Sequence, residues 1–155
     1  MRIIKPLGKI VKQPEEKLLF LAGSIEMGQA EEWQEKIQAA LAHTKWVILN
    51  PRRDHWDSSW VQQIENDQFR QQVEWEMGGL DVADTILMYF SPNTKSPITL
   101  LELGLQASRG GNQRLIVCCP DGFWRQGNVQ IVCARYKLPF VKNLEEAISL
   151  LPPCV

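Results

Sequence analysis

Apolar residues recur along this chain at two alternating periods. Short, nearly continuous apolar runs fall at residues 17–22 (Leu18-Leu19-Phe20-Leu21-Ala22), 46–49, 85–90 and 114–119. A last short run falls at 138–141, where Pro139 suggests a sheet edge. Between these runs the apolar positions shift to helical spacing. Residues 29–42 carry Trp33, Ile37, Ala40 and Leu41; residues 61–80 form a long polar stretch with a thin stripe of Ile64, Phe69, Val73, Trp75 and Met77. A helix is expected to start at Pro97 behind Ser96, a short one around 124–135, and a last one over 143–151 behind Asn143.

Strands apolar on both faces, alternating with helices, imply a parallel sheet covered on both sides. The expected fold is therefore α/β: a single-domain flavodoxin/Rossmann-like three-layer sandwich with a five-stranded parallel sheet. Residues 1–16 show little periodicity and read as an N-terminal arm, leaving 17–155 as the domain. In such sheets ligands bind at the carboxyl ends of the strands. The turns at 23–28, 50–60, 90–98 and 119–128 are the places to look, and polar and aromatic residues concentrate there. Residues 50–57 alone carry Arg52, Arg53, Asp54, His55, Trp56 and Asp57.

Within the third predicted helix, Ile98, Leu101, Glu102 and Leu105 lie at i, i+3, i+4 and i+7, on one face. That face is expected to be buried. An ionised carboxylate there is costly unless it is paired, and such groups are often kept for chemistry. A structural Glu pairing with a neighbouring element is the plainer alternative.

Composition narrows the setting. A chain of 155 residues with 45% hydrophobic and 23% charged residues suits one domain with one substantial core. The net charge of −1, without a basic stripe, argues against an extended nucleic-acid surface. No apolar run reaches membrane-spanning length and the N-terminus lacks the order of a signal peptide, so a cytoplasmic protein without membrane contact is expected. Cys118, Cys119, Cys133 and Cys154 have neither metal nor disulfide spacing and read as reduced core thiols. Neither Gly-x-Gly-x-x-Gly nor a P-loop follows the first strand, so no nucleotide cofactor is expected, and no metal.

Four pieces, in order, bring a family into view: Phe20-Leu-Ala-Gly-Ser-Ile25, the Glu76…Asp84 pair, Glu102-Leu-Gly104, and Gly127-Asn-Val129. Over about Leu18 to Phe140 the chain resembles the nucleoside 2-deoxyribosyltransferases and the related 2′-deoxynucleoside 5′-phosphate N-hydrolases. The resemblance implies that Glu102 is the nucleophile that displaces the base from C1′ of the sugar, forming a deoxyribosyl ester. A second base or water then attacks, with net retention. It implies Glu76, where family members usually carry Asp, as the acid near the base. It also implies substrate contacts for Phe20, Gly23, Ser24, Arg53, Asp54, Trp56, Asp84, Ser96 and Asn128. Asn128 matches an Asn that reaches a neighbouring subunit's site, so a homo-oligomer is implied. The partners expected are 2′-deoxynucleosides and free purine or pyrimidine bases.

Two residues pull apart on the reaction. Ser96, six residues before Glu102, is typical of the nucleotide hydrolases, where it helps hold a 5′-phosphate; transferases often have Asp there. Glu26 stands where those hydrolases carry a basic residue, and an acid would repel phosphate. The transferase acting on nucleosides is the favoured expectation, with the 5′-monophosphate hydrolase second. Phe20 in place of the family's usual Tyr, together with Ser96, keeps open a third class, a nucleoside-binding module without catalysis.

Overall fold

The sheet has six parallel strands rather than five. The structure is a computed structural model that describes residues 1–26, 30–55 and 57–155. Strands β1 (Arg2–Ile4), β2 (Lys17–Gly23), β3 (Trp46–Leu49), β4 (Thr85–Tyr89), β5 (Arg114–Cys118) and β6 (Phe140–Val141) lie in the order β1-β3-β2-β4-β5-β6. The additional strand comes from the expected arm. Arg2, Ile3 and Ile4 pair with Val47, Ile48 and Leu49, and only Ile4 of the three is buried. Three residues at an edge are too short to carry a period, so the sequence pattern misses them. Residues beyond β1 stay bound to the domain: Trp75 donates to the Gly8 carbonyl at 2.8 Å, and Lys12 pairs with Asp84 at 2.6 Å.

Period-two alternation divides each inner strand between two cores. Leu18, Phe20, Val47, Leu49, Ile86, Met88, Leu115 and Val117 face one side. They pack against Leu80 of α2 (Asp67–Val82), Leu103 of α3 (Pro97–Ala107) and Val129 of α4 (Gln126–Tyr136). Leu19, Leu21, Trp46, Ile48, Leu87 and Ile116 face the other side, under Trp33 and Ile37 of α1 (Trp33–Ala40) and Ala147 of α5 (Leu144–Ser149). These are the layers of a Rossmann-like α/β fold. Cys118, Cys119, Cys133 and Cys154 are all buried free thiols.

One close approach fixes how α2 sits on the sheet. A Cβ on Gly79 would stand 2.7 Å from the Phe20 ring and 3.3 Å from a Leu49 methyl. Phe20 is fully buried and has no room to retreat. Gly79→Ala should therefore cost about 1–3 kcal/mol through overpacking, read as a lowered urea midpoint at unchanged slope.

Two helices depart from the expected pattern. The second begins at Asp67, where Asn66 accepts from Phe69 N, rather than at 61, and Ile64 is exposed. The third begins at Pro97 as expected, but its buried face is Thr99, Leu103, Gln106 and Ala107. Ile98, Leu101 and Leu105 are exposed. Both stripes have helical spacing in a helix apolar nearly all round, so periodicity alone could not choose between them. The smaller Thr99 and Ala107 face inward, beside Leu103 and the half-buried Leu100. The expected start of the first helix at 29 lies outside the described residues.

Candidate active site

The chain leaves β2 toward β3 on one side and returns to β4 on the other, so the carboxyl ends of β2 and β4 flank the topological switch point. Gly23 closes β2 there at φ +150°, close against the Tyr89 backbone. Ser24 N donates to the Tyr89 carbonyl at 3.0 Å. The Ser24 hydroxyl accepts from Ser91 N (2.8 Å) and lies 2.5 Å from the Ser96 hydroxyl; Thr94 donates to it at 2.9 Å. This buried hydroxyl cluster ties β2 to the loop that launches α3.

Two carboxylates cap the same corner. Glu26, in the left-handed region at φ +44°, accepts from the backbone N–H groups of Lys95 (2.7 Å) and Ser96 (2.6 Å). The second belongs to the N-cap and the first to the residue before it, at the positive end of the helix dipole, which favours an anion. Glu31 accepts from the hydroxyls of Tyr89 (2.5 Å) and Ser91 (2.6 Å). Burial opposes its ionisation, but the two hydroxyls outweigh burial and hold its carboxyl below the usual range.

Glu102 and Glu76 form a second, different pair. Glu102, mid-way along α3, is pushed up to about 8, first by burial and then by the charge of Glu76. Burial also raises Glu76, against the pull of a hydrogen bond from Gln72 and the charge of Arg53. Two like charges that interact in this way disfavour double ionisation. Their repulsion and burial together keep Glu102 protonated well above the ordinary carboxylate range.

This raised value has a consequence for stability. A carboxyl whose folded value lies above its unfolded value holds a proton that the unfolded chain has lost. Its contribution is full below about 4.5 and is lost as pH rises toward 8. Glu102→Gln should remove that loss, on the order of 1.4 kcal/mol for each pH unit between folded and unfolded values. Melting temperature compared at pH 5 and pH 9 checks it: the variant should gain on wild type at pH 9 only.

The structure gathers some of the expected site residues and separates others. Gly23, Ser24 and Ser96 meet at the switch point. Ser96 stands at the N-cap of α3 in a left-handed conformation, and its hydroxyl turns to Ser24 and Thr94 instead of capping the helix. Arg53 donates from Nε to Gln72 at 2.8 Å and lies 4.2 Å over the Trp60 ring. Phe20 is buried beneath Gly79 and stacks obliquely with Trp75, so it supports the floor of the α2 side. Asp54 is exposed and paired with Lys5 at 3.0 Å. Asp84 lies at the opposite, amino end of the strands, where it accepts from Leu18 N (2.7 Å) and Lys12. That position makes it a sheet-end fastener, away from the other site residues. Asn128 is exposed on α4. Trp56 lies outside the described residues.

Sequence reasoning missed Gln72 and Glu31. Gln72 sits one helical turn before Glu76, and that i, i+4 spacing was the available signal. Arg52, beside Arg53, turns the other way and donates to the carbonyls of Ala30 (2.8 Å) and Glu31 (3.0 Å) ahead of α1.

A family model described as nucleoside 2-deoxyribosyltransferase like matches residues 16–123, which include Glu26, Glu76 and Glu102. The chain belongs to this family. The matched stretch spans β2 through the loop after β5, so it covers the switch point and the carboxylate pair; Asn128 lies beyond it. No curated protein matches the chain.

Around the pair, this family member exposes an apolar surface. Ile98, Leu101 and Leu105 flank Glu102 along α3, and Ile131 stands out from α4 at 70% exposure. Apolar residues in such a row, next to a site, commonly mark an interaction surface.

Proposed function

We propose that the protein is a nucleoside 2′-deoxyribosyltransferase that works through a covalent deoxyribosyl–Glu102 ester. The observation that carries this reading is Glu102 itself, half-buried on α3 and raised by burial and by the charge of Glu76 on α2, in a chain of the nucleoside 2-deoxyribosyltransferase like family. In the first half-reaction a Glu102 oxygen bonds to C1′, the C1′–N bond breaks, and its electron pair stays on the departing base. The reactive form is the one with Glu102 ionised and the proton on Glu76, which gives it to the departing base. In the second, a nitrogen of the acceptor base attacks C1′, the ester C1′–O bond breaks, and the acceptor's proton passes to Glu76. Two displacements return the original configuration.

Glu26 supports nucleosides over 5′-monophosphates. Six residues separate Ser96 from Glu102, about 9 Å of helix rise, so the 5′ end of a sugar bound at Glu102 would approach the N-terminal turn of α3. The backbone N–H groups of Lys95 and Ser96 at the entry to that turn are taken by the chain's own carboxylate. A 5′-phosphate would have to displace it against like charge.

A second copy of the chain is the partner best suited to the exposed α3–α4 row. It would cover Ile98, Leu101, Leu105 and Ile131, exclude water from the ester, and let Asn128 reach the neighbouring site.

Incubation with a 2′-deoxynucleoside, with and without a second free base and beside the matched 5′-monophosphate, tests the reading. New nucleoside appearing only with the acceptor base is the expected outcome. Release of sugar 5′-phosphate without base exchange would overturn it in favour of the hydrolase. The pH profile of kcat/KM should fall above about 8 as the pair loses its last proton, and fall again on the acid side when both carboxyls are protonated.

A further inference from the structure

The geometry points to Gln72 as a positioning residue that, locked by Arg53, fixes which oxygen of Glu76 carries the proton to the base. This inference rests on the reading of Glu76 as the acid. It follows from donor and acceptor chemistry at one buried amide.

An amide side chain can be placed two ways round, and its neighbours decide. Arg53 offers only donors, so the atom 2.8 Å from its Nε must be the Gln72 carbonyl oxygen. The Pro51 carbonyl is only an acceptor, and it receives the Gln72 Nε2 at 3.4 Å. Both neighbours demand the same orientation. With the amide so fixed, Nε2 must donate to Glu76 Oε1, at 2.5 Å. That oxygen is then an acceptor in every protonation state, and a proton on Glu76 resides on Oε2. Gln72 is buried, so solvent does not compete for these bonds. The Arg53 guanidinium is itself steadied over Trp60.

The charged groups that face Glu76 among the described residues are Glu102 from α3 and Arg53 from the loop after β3. Glu102 favours the protonated form of Glu76; Arg53 and the Gln72 bond favour the ionised form. The relay thus sets the direction in which the acid gives its proton and restrains how tightly it holds it. It also joins the loop after β3 to the acid on α2.

Gln72→Met keeps the length of the side chain and removes both ends of the relay. It should lower kcat for base exchange by about 10²-fold, the scale of a small misplacement of a reacting group, with KM nearly unchanged. The basic limb of the pH profile should move upward, because the bond that favours ionised Glu76 is gone. Arg53→Met, which frees the amide to turn, should give a similar loss, and the double variant should be no worse than either single one. A carboxyl 13C titration of Glu76 should show a raised value in Gln72→Met whether or not exchange is measurable. Wild-type kcat and an unmoved Glu76 titration in Gln72→Met, or losses that add fully in the double variant, would overturn the relay. Glu76→Gln separates the two claims. Undiminished exchange in that variant would remove Glu76 as the acid, while the titration still reads the relay.

Discussion

Glu102→Gln will abolish base exchange while leaving the fold intact. The amide is nearly isosteric with the carboxyl but cannot form the ester, so kcat should fall at least about 10³-fold, which is about 4 kcal/mol of transition-state stabilisation. The loss should appear in kcat and kcat/KM alike, because the interaction is made only at the transition state. The same variant relieves Glu76 of a neighbouring charge and should be no less stable than wild type above neutral pH. That combination, inactive and at least as stable, distinguishes a functional carboxylate from a structural one. A structural Glu replaced by Gln would lose stability and activity together. Exchange assays and thermal melts on one preparation read both.

Gly23→Ala should do the reverse and damage the framework itself. Gly23 sits at φ +150°, and an added Cβ would stand 2.4 Å from the Tyr89 carbonyl oxygen and 2.9 Å from both the Tyr89 nitrogen and the Trp33 ring. Two of these neighbours are backbone atoms of the adjacent central strand, so no side chain can turn aside. We expect a loss of more than about 3 kcal/mol, at the upper end of what single substitutions do, read as a large drop in the urea midpoint. The damage should reach the site too. Ser24 hangs from this residue, and its hydroxyl organises Ser91, Thr94 and Ser96. A protein that keeps wild-type stability with Ala at 23 would show that β2 and β4 can separate here without cost.

Much of the layering was legible because the inner strands are buried on both faces. Such strands appear as apolar runs, and the turns after them locate the switch point. What escaped had physical reasons. β1 pairs through its backbone over three residues and buries only Ile4, which leaves no periodic trace. In α3 two apolar stripes compete, and only packing against the sheet decides that Leu103 turns in and Leu101 out. Glu102 lies between these stripes and is half-buried, although the face expected for it is not the core face. Asp84 illustrates the limit of reading sites from order in the sequence. It stands eight residues after Glu76, yet the helix that carries Glu76 runs back to the amino end of the sheet and leaves Asp84 there. The Gln72 bond was visible only as helical spacing, and the contact of Glu26 with the start of α3 spans 70 residues that no local pattern connects.

The central claim is that the sugar becomes bonded to Glu102. Incubation with a 2′-deoxynucleoside, acid quench, proteolysis and mass spectrometry test it most directly. The account predicts a peptide bearing one added deoxyribosyl group at Glu102, discharged when an acceptor base is supplied before the quench. Base exchange proceeding at full rate with the group on another residue, or persisting in Glu102→Gln, would contradict it.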